Sequence, residues 1–110
     1  MYQLSYYVPE AEHENLKQHL FDAGAGQFNN YDRCCWQTLG EGQFRALEKS
    51  NPSIGKLYQQ HSIKEYKVEM ICQKKYLKAV LDSLLKYHPY EQPAYHIIEI
   101  YTADSLITHN

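Results

Sequence analysis

The sequence predicts an α+β domain in the order β-α-β-β-α-β. Three observations predict it: a period-two apolar pattern over residues 2–8, a leucine-rich run of helical spacing over residues 74–87, and alternating stretches before and after that run. A chain of 110 residues is one domain's worth, so residues 1–110 are read as a single unit and a two-domain enzyme is excluded.

In the first strand Tyr2, Leu4, Tyr6 and Val8 alternate with Gln3, Ser5 and Tyr7, which turns one face toward a core, and Pro9 ends it. Between residues 9 and 23 the period changes. Leu16, Leu20 and Ala23 share a helical face, and Glu10, Glu12 and Glu14 lie near the start, where the helix dipole favours carboxylates. Gly24-Ala25-Gly26 then suits the left-handed backbone that closes a helix. Residues 31–47 mix aromatics, cysteines and threonine with glycines at 40 and 42, and read as a long strand bent or bulged near its middle. Ser50-Asn51-Pro52-Ser53-Ile54-Gly55 is a turn, and residues 63–72 resume alternation with Val68, Met70 and Cys72 on one side. Leu77, Val80, Leu81, Leu84 and Leu85 define the second helix, closed by Pro89. Residues 95–101, with Ile97, Ile98 and Ile100, form a last strand with apolar contact on both faces.

This order is the split βαβ of a ferredoxin-like sandwich, a four-stranded antiparallel sheet with two helices on one face. The helices cover only that face, so the other is expected to bury against a further copy of the chain. Eleven basic against thirteen acidic residues lack the excess positive charge that a phosphate backbone demands, which argues against nucleic acid. No basic leader opens the sequence and no stretch approaches the roughly 20 apolar residues of a membrane span, so a cytoplasmic chain without membrane contact is expected. Cys34, Cys35 and Cys72 cannot all pair within one chain, and reduced thiols are expected. The eleven tyrosines bring rings that pack while their hydroxyls stay wet or bonded.

Two runs carry candidate chemistry. His88-Pro89-Tyr90-Glu91-Gln92-Pro93-Ala94-Tyr95 holds an imidazole, a phenol and a carboxylate on chain stiffened by two prolines. His88 and Glu91 have the chemistry to ligate a divalent cation, or Glu91 to orient His88 for proton transfer. Structurally, His88 would cap the helix C-terminus, where its positive form is favoured. In Tyr31-Asp32-Arg33-Cys34-Cys35-Trp36, strand geometry would point the two cysteines to opposite faces, which disfavours a two-thiolate metal site; buried cysteines and an anchoring Trp36 are expected. Arg45 is the residue of the Gly40-to-Arg45 run suited to an anion. Gly24-Ala25-Gly26 follows a helix instead of opening one, which argues against a phosphate loop. His13, His19, His61 and His109 show no metal-ligand spacing and read as surface residues.

Together these motifs resemble a family. The opening Tyr-x-Leu-x-x-Tyr-Val-Pro, Gly24-Ala25-Gly26, Asn30-Tyr31-Asp32-x-Cys34-x-Trp36, Gly40-x-Gly42-Gln43-Phe44-Arg45, Ser50-Asn51-Pro52 and the His88-to-Tyr95 run are similar to the small domain inserted in YqfO-type members of the Nif-three-like proteins, often labelled GTP cyclohydrolase type 1-like. The His-Pro-Tyr-Glu-x-Pro run is also similar to that of CutA, whose members share the PII-like ferredoxin fold and assemble as trimers. The resemblance implies a PII/CutA-like oligomer, a trimer before a dimer, more firmly than an activity. The metal motifs of the larger proteins are absent here, so neither a dinuclear centre nor GTP hydrolysis carries over. Ala46 stands where the family has proline and Lys49 where it has glycine.

The expected function is therefore an oligomeric binding or regulatory module that holds a small ligand or divalent cation at subunit clefts. Tyr31, Asp32, Cys34, Trp36, Arg45 and Tyr90 are the candidate ligand contacts, with His88 and Glu91 as candidate metal ligands. A purely structural or protein-interaction domain is the alternative. An enzyme ranks last, because the sequence shows no nucleophile-base pair and no preassembled metal site.

Overall fold

Alternation in β1 (Tyr2–Pro9) drives Leu4, Tyr6 and Val8 into complete burial beneath two helices. A computed structural model describes residues 1–50 and 56–107 of the chain. The 51–55 part of the expected turn and His109 lie outside the described residues. After β1 come a single 3-10 turn (Glu10–Glu12), α1 (His13–Asp22), β2 (Trp36–Arg45), β3 (Gln60–Cys72), α2 (Lys74–Tyr87), β4 (Tyr95–Glu99) and a short α3 (Ala103–Ile107). The sheet order is β2-β3-β1-β4 with every neighbouring pair antiparallel, which is the ferredoxin-like arrangement.

The core lies between the sheet and α1 and α2. Leu4, Tyr6 and Val8 meet Val68, Met70 and Cys72 of β3, Leu16 and Leu20 of α1, and Val80 and Leu84 of α2. Tyr6, on the face turned toward the core, is wholly buried there, and its hydroxyl, expected to be wet or bonded, has no hydrogen-bond partner among the described residues. Leu85 falls off the buried face of α2 and is 54% exposed.

Gly24 and Gly26 close α1 with φ of 117° and 80°, as the Gly-Ala-Gly run requires. Gly26 also ties two segments together: its N–H donates to Ile71 O at 2.8 Å and its carbonyl accepts from Cys34 N–H at 2.8 Å. A Cβ on Gly26 would lie 2.7 Å from the Cys34 carbonyl oxygen.

The second strand departs from expectation. It begins at Trp36, and residues 31–35, which follow a tight turn closed by Phe28 and Tyr31, are irregular, with a bend at Arg33 where φ is 54°. The competing interactions are local: Phe28 and Tyr31 exchange backbone hydrogen bonds, and Arg33 reaches back to Gln18 (2.7 Å) and Asp22 (3.2 Å) on α1. Nor is β2 bulged, since its pairing with β3 runs unbroken from Trp36↔Glu69 to Arg45↔Gln60. Beyond Pro9↔Glu65, where β1 ends, β2 and β3 continue alone as a two-stranded arm. The molecule measures 54 × 24 × 23 Å, with a radius of gyration of 15.8 Å. A globular chain of this length would have a radius near 13 Å.

The helix-free face carries Gln3, Ser5 and Tyr7 of β1, Glu65, Lys67, Glu69 and Ile71 of β3, and Ile98 of β4. Ile97 packs on the core while Ile98 is 51% exposed on the opposite side, so the apolar residues of the last strand do face both ways.

Candidate functional site

The second helix stops at His88 because Pro89 cannot extend it, and His88 N–H still bonds Leu84 O at 3.0 Å. The side chain is 7% exposed and bridges two segments. Tyr90 N–H donates to Nδ1 at 3.1 Å, so Nδ1 is the unprotonated nitrogen, and Nε2–H donates to Tyr7 O at 2.6 Å. Burial lowers the His88 pKa below that of an ordinary imidazole, outweighing the Tyr7 carbonyl and the Glu12 carboxylate, which raise it. The cap is therefore a neutral imidazole, not the cation that the helix dipole alone would favour. A cation at Nε2 or Nδ1 has to displace one of these two bonds.

The His88 latch sets the walls of a cleft of about 250 Å³ on the helix-free face. Tyr7 of β1 and residues 90–92 and 94 form one side, and Gly42, Phe44, Ile63 and Glu65 of the arm form the other. Tyr7 N–H also donates to Ala94 O at 3.2 Å, which docks the end of the segment bounded by Pro89 and Pro93 on β1. Inside the cleft the Glu65 carboxyl lies over Gly42, where any Cβ would collide with it. Burial raises the Glu65 pKa. The Tyr90 hydroxyl is buried without a hydrogen-bond partner among the described residues, and burial, then Glu65 and Glu12, push its pKa up. An apolar hollow with a carboxyl group and an unsatisfied phenol is suited to holding a small molecule by a few polar contacts.

Of the expected contact residues, Tyr90 and Glu91 line this cleft, and His88 supports it from behind. Tyr31, Asp32, Cys34, Trp36 and Arg45 do not line it. Tyr31 and Trp36 are 74% and 68% exposed, and Trp36 Nε1–H donates to Thr38 Oγ1 at 3.0 Å, so Trp36 is not a core anchor of this chain. Cys34 is half-buried, Cys35 exposed and Cys72 buried, and all three are free thiols. The expectation of buried cysteines therefore holds only for Cys72. Among the described residues no three His, Cys, Asp or Glu side chains gather in a group able to hold a metal ion. Tyr7, Gly42, Phe44, Ile63 and Glu65 were not singled out as contacts by sequence. The available signal was alternation along β3, which puts Ile63 and Glu65 on the face opposite Val68 and Met70.

A second polar cluster lies under β2, on the helix side. His13, expected at the surface, is 3% exposed and stacks on Tyr66 with ring centroids 4.0 Å apart. Burial and then Lys17 lower its pKa. Lys17 Nζ donates to Glu14 Oε1 (2.8 Å) and Gln37 Oε1 (3.0 Å), which fastens α1 to β2.

No protein-family model matches the chain. The Bacillus subtilis protein named GTP cyclohydrolase 1 type 2 homolog is 34% identical over 97 residues, covering 88% of this chain and 26% of that protein. The crystal structure of a Bacillus cereus protein related to NIF3 superposes with a TM-score of 0.79 at 27% identity, covering 92% of this chain and 26% of that one. The periplasmic divalent cation tolerance protein CutA from Archaeoglobus fulgidus superposes with a TM-score of 0.67 at 16% identity over 94% of this chain and 87% of its own, which shows a shared fold. The chain spans about a quarter of the length of the curated relatives it matches. It is thus homologous, over most of its length, to a domain-sized segment of the NIF3-related proteins named GTP cyclohydrolase 1 type 2 homolog, built on a CutA-like fold.

Proposed function

We propose that residues 1–110 act as a single self-associating binding module whose ligand site is the cleft between the β2–β3 arm and the 90–94 turn. The observation that carries the reading is the cleft itself: the Tyr90 hydroxyl and the Glu65 carboxyl sit in apolar surroundings with room beside them. Self-association is supported by the uncovered face and the two sheet edges, where Trp36, Leu39 and Ile98 are 68%, 46% and 51% exposed. A trimer is proposed before a dimer, on the CutA-like fold. The free thiols suit a reducing, cytoplasmic setting. Among the described residues no helix is long and apolar enough to cross a membrane.

A divalent cation held by His88 and Glu91 is the other ligand to test, and Zn²⁺ and Mn²⁺ therefore belong in the panel. Thermal unfolding of the untagged protein should rise with a small-molecule ligand, with a gain of about 2.7 kcal/mol at 100 times the dissociation constant. Tyr90→Phe should diminish that gain. Light scattering at low micromolar concentration should give a multiple of the chain mass. A monomer would overturn self-association, and the absence of any shift across the panel would favour a purely structural domain.

A further inference from the structure

We propose that the ligand of the cleft is a small organic cation, an ammonium group carried on an apolar body. The inference rests on the cleft being a ligand site and adds the charge and shape of what fills it. Among the described residues that line it the ionisable groups are the carboxyls of Glu65 and Glu91 and the phenols of Tyr7 and Tyr90, with no Lys, Arg or His, and Lys67 of the adjoining hollow pairs with Glu69 at 3.5 Å. An anion entering here would meet the Glu65 and Glu91 carboxylates with no basic side chain among the described lining residues to balance them. That sets the cleft apart from a phosphate or nucleotide site, which needs basic side chains or a helix N-terminus.

Glu91 has contacts of its own within the chain, so Glu65 is the acceptor that matters. Its carboxyl reaches over Gly42 into space that any other residue at position 42 would occupy. The Tyr90 oxygen, buried and without a partner among the described residues, is a second acceptor for an ammonium N–H. Phe44, Ile63 and Ala94 supply the apolar lining for the body of the ligand, and the faces of aromatic rings favour a nearby cation. Carboxylate, phenol oxygen and ring faces are all complementary to positive charge.

A charge series of nearly constant shape tests this on the wild-type protein: 2-phenylethylammonium, 2-phenylethanol and 3-phenylpropanoate, with dissociation constants from ligand-observed NMR at pH 7.5. The ammonium should bind about tenfold or more tighter than the alcohol, the gain expected of a charge-assisted contact over a neutral one, and the carboxylate more weakly than either. Glu65→Gln should remove about tenfold from the ammonium's affinity and leave the alcohol's nearly unchanged. Should that variant fail to fold, the wild-type series decides alone. Equal or tighter binding of the alcohol or carboxylate would overturn the cation while leaving the cleft as a ligand site. Binding by none of the three, with a thermal shift from another compound in the panel, would overturn the cation alone. Binding by none, with no shift from any compound, would overturn both.

Discussion

Replacing His88 with alanine should lower folding stability by about 3 kcal/mol and loosen the cleft at the same time. The side chain satisfies two backbone groups, Tyr7 O and Tyr90 N–H, and each buried group left without a partner costs about 1–3 kcal/mol, part of which entering water relieves. Urea unfolding measures the loss. The pH dependence gives a second readout. Folded His88 has its pKa below the unfolded value of about 6.5, so between the two the unfolded chain binds more protons and stability rises with pH. That contribution is fully present above about pH 6.5 and is lost as pH falls toward the folded pKa. His13, also lowered by burial, acts in the same direction. The wild-type urea midpoint should therefore drop between pH 7.5 and pH 5.5, and His88→Ala should drop less, keeping only the share due to His13 and other groups. Equal pH slopes for the two proteins would show that His88 is not held neutral by the fold.

Leu20→Ala should cost about 3 kcal/mol, within the 2–5 kcal/mol range for buried leucines. Leu20 is fully buried in the cluster where α1 meets the sheet and α2. Its neighbours are held by two backbone ladders and two helices, so the cavity has little scope to collapse. Leu85→Ala on α2 is the control: that side chain is 54% exposed and its loss should change stability by no more than about 0.5 kcal/mol. Comparable losses for the two would contradict the placement of the core.

The element order was legible because each element repeats one period long enough to be read. Leu4, Tyr6 and Val8 in β1 and the leucines of α2 point one way, and both segments form as expected. Residues 31–35 were not legible, because an irregular segment held by Arg33 reaching Gln18 and Asp22 depends on where α1 lies in space. The same holds for His13, whose burial follows from stacking on Tyr66, 53 positions away in the chain. At the candidate site, the His88-to-Tyr95 run drew notice through its prolines and supplies Tyr90 and Glu91. Its other wall did not, because the register that brings Glu65 beside Pro9 and Gly40, and Ile63 beside Gly42, is set by strand pairing. Gly42 reads in the sequence as part of a bend or bulge, whereas the structure shows regular strand in which the missing side chain makes room for Glu65.

The cleft between arm and turn is where this module is proposed to bind. Amide chemical-shift mapping of ¹⁵N-labelled protein during titration with 2-phenylethylammonium tests it most directly. Shifts concentrated at Tyr7, Gly42, Phe44, Glu65 and Ala94 are the predicted result. Shifts concentrated at residues 31–36, or spread without focus over the surface, would contradict it.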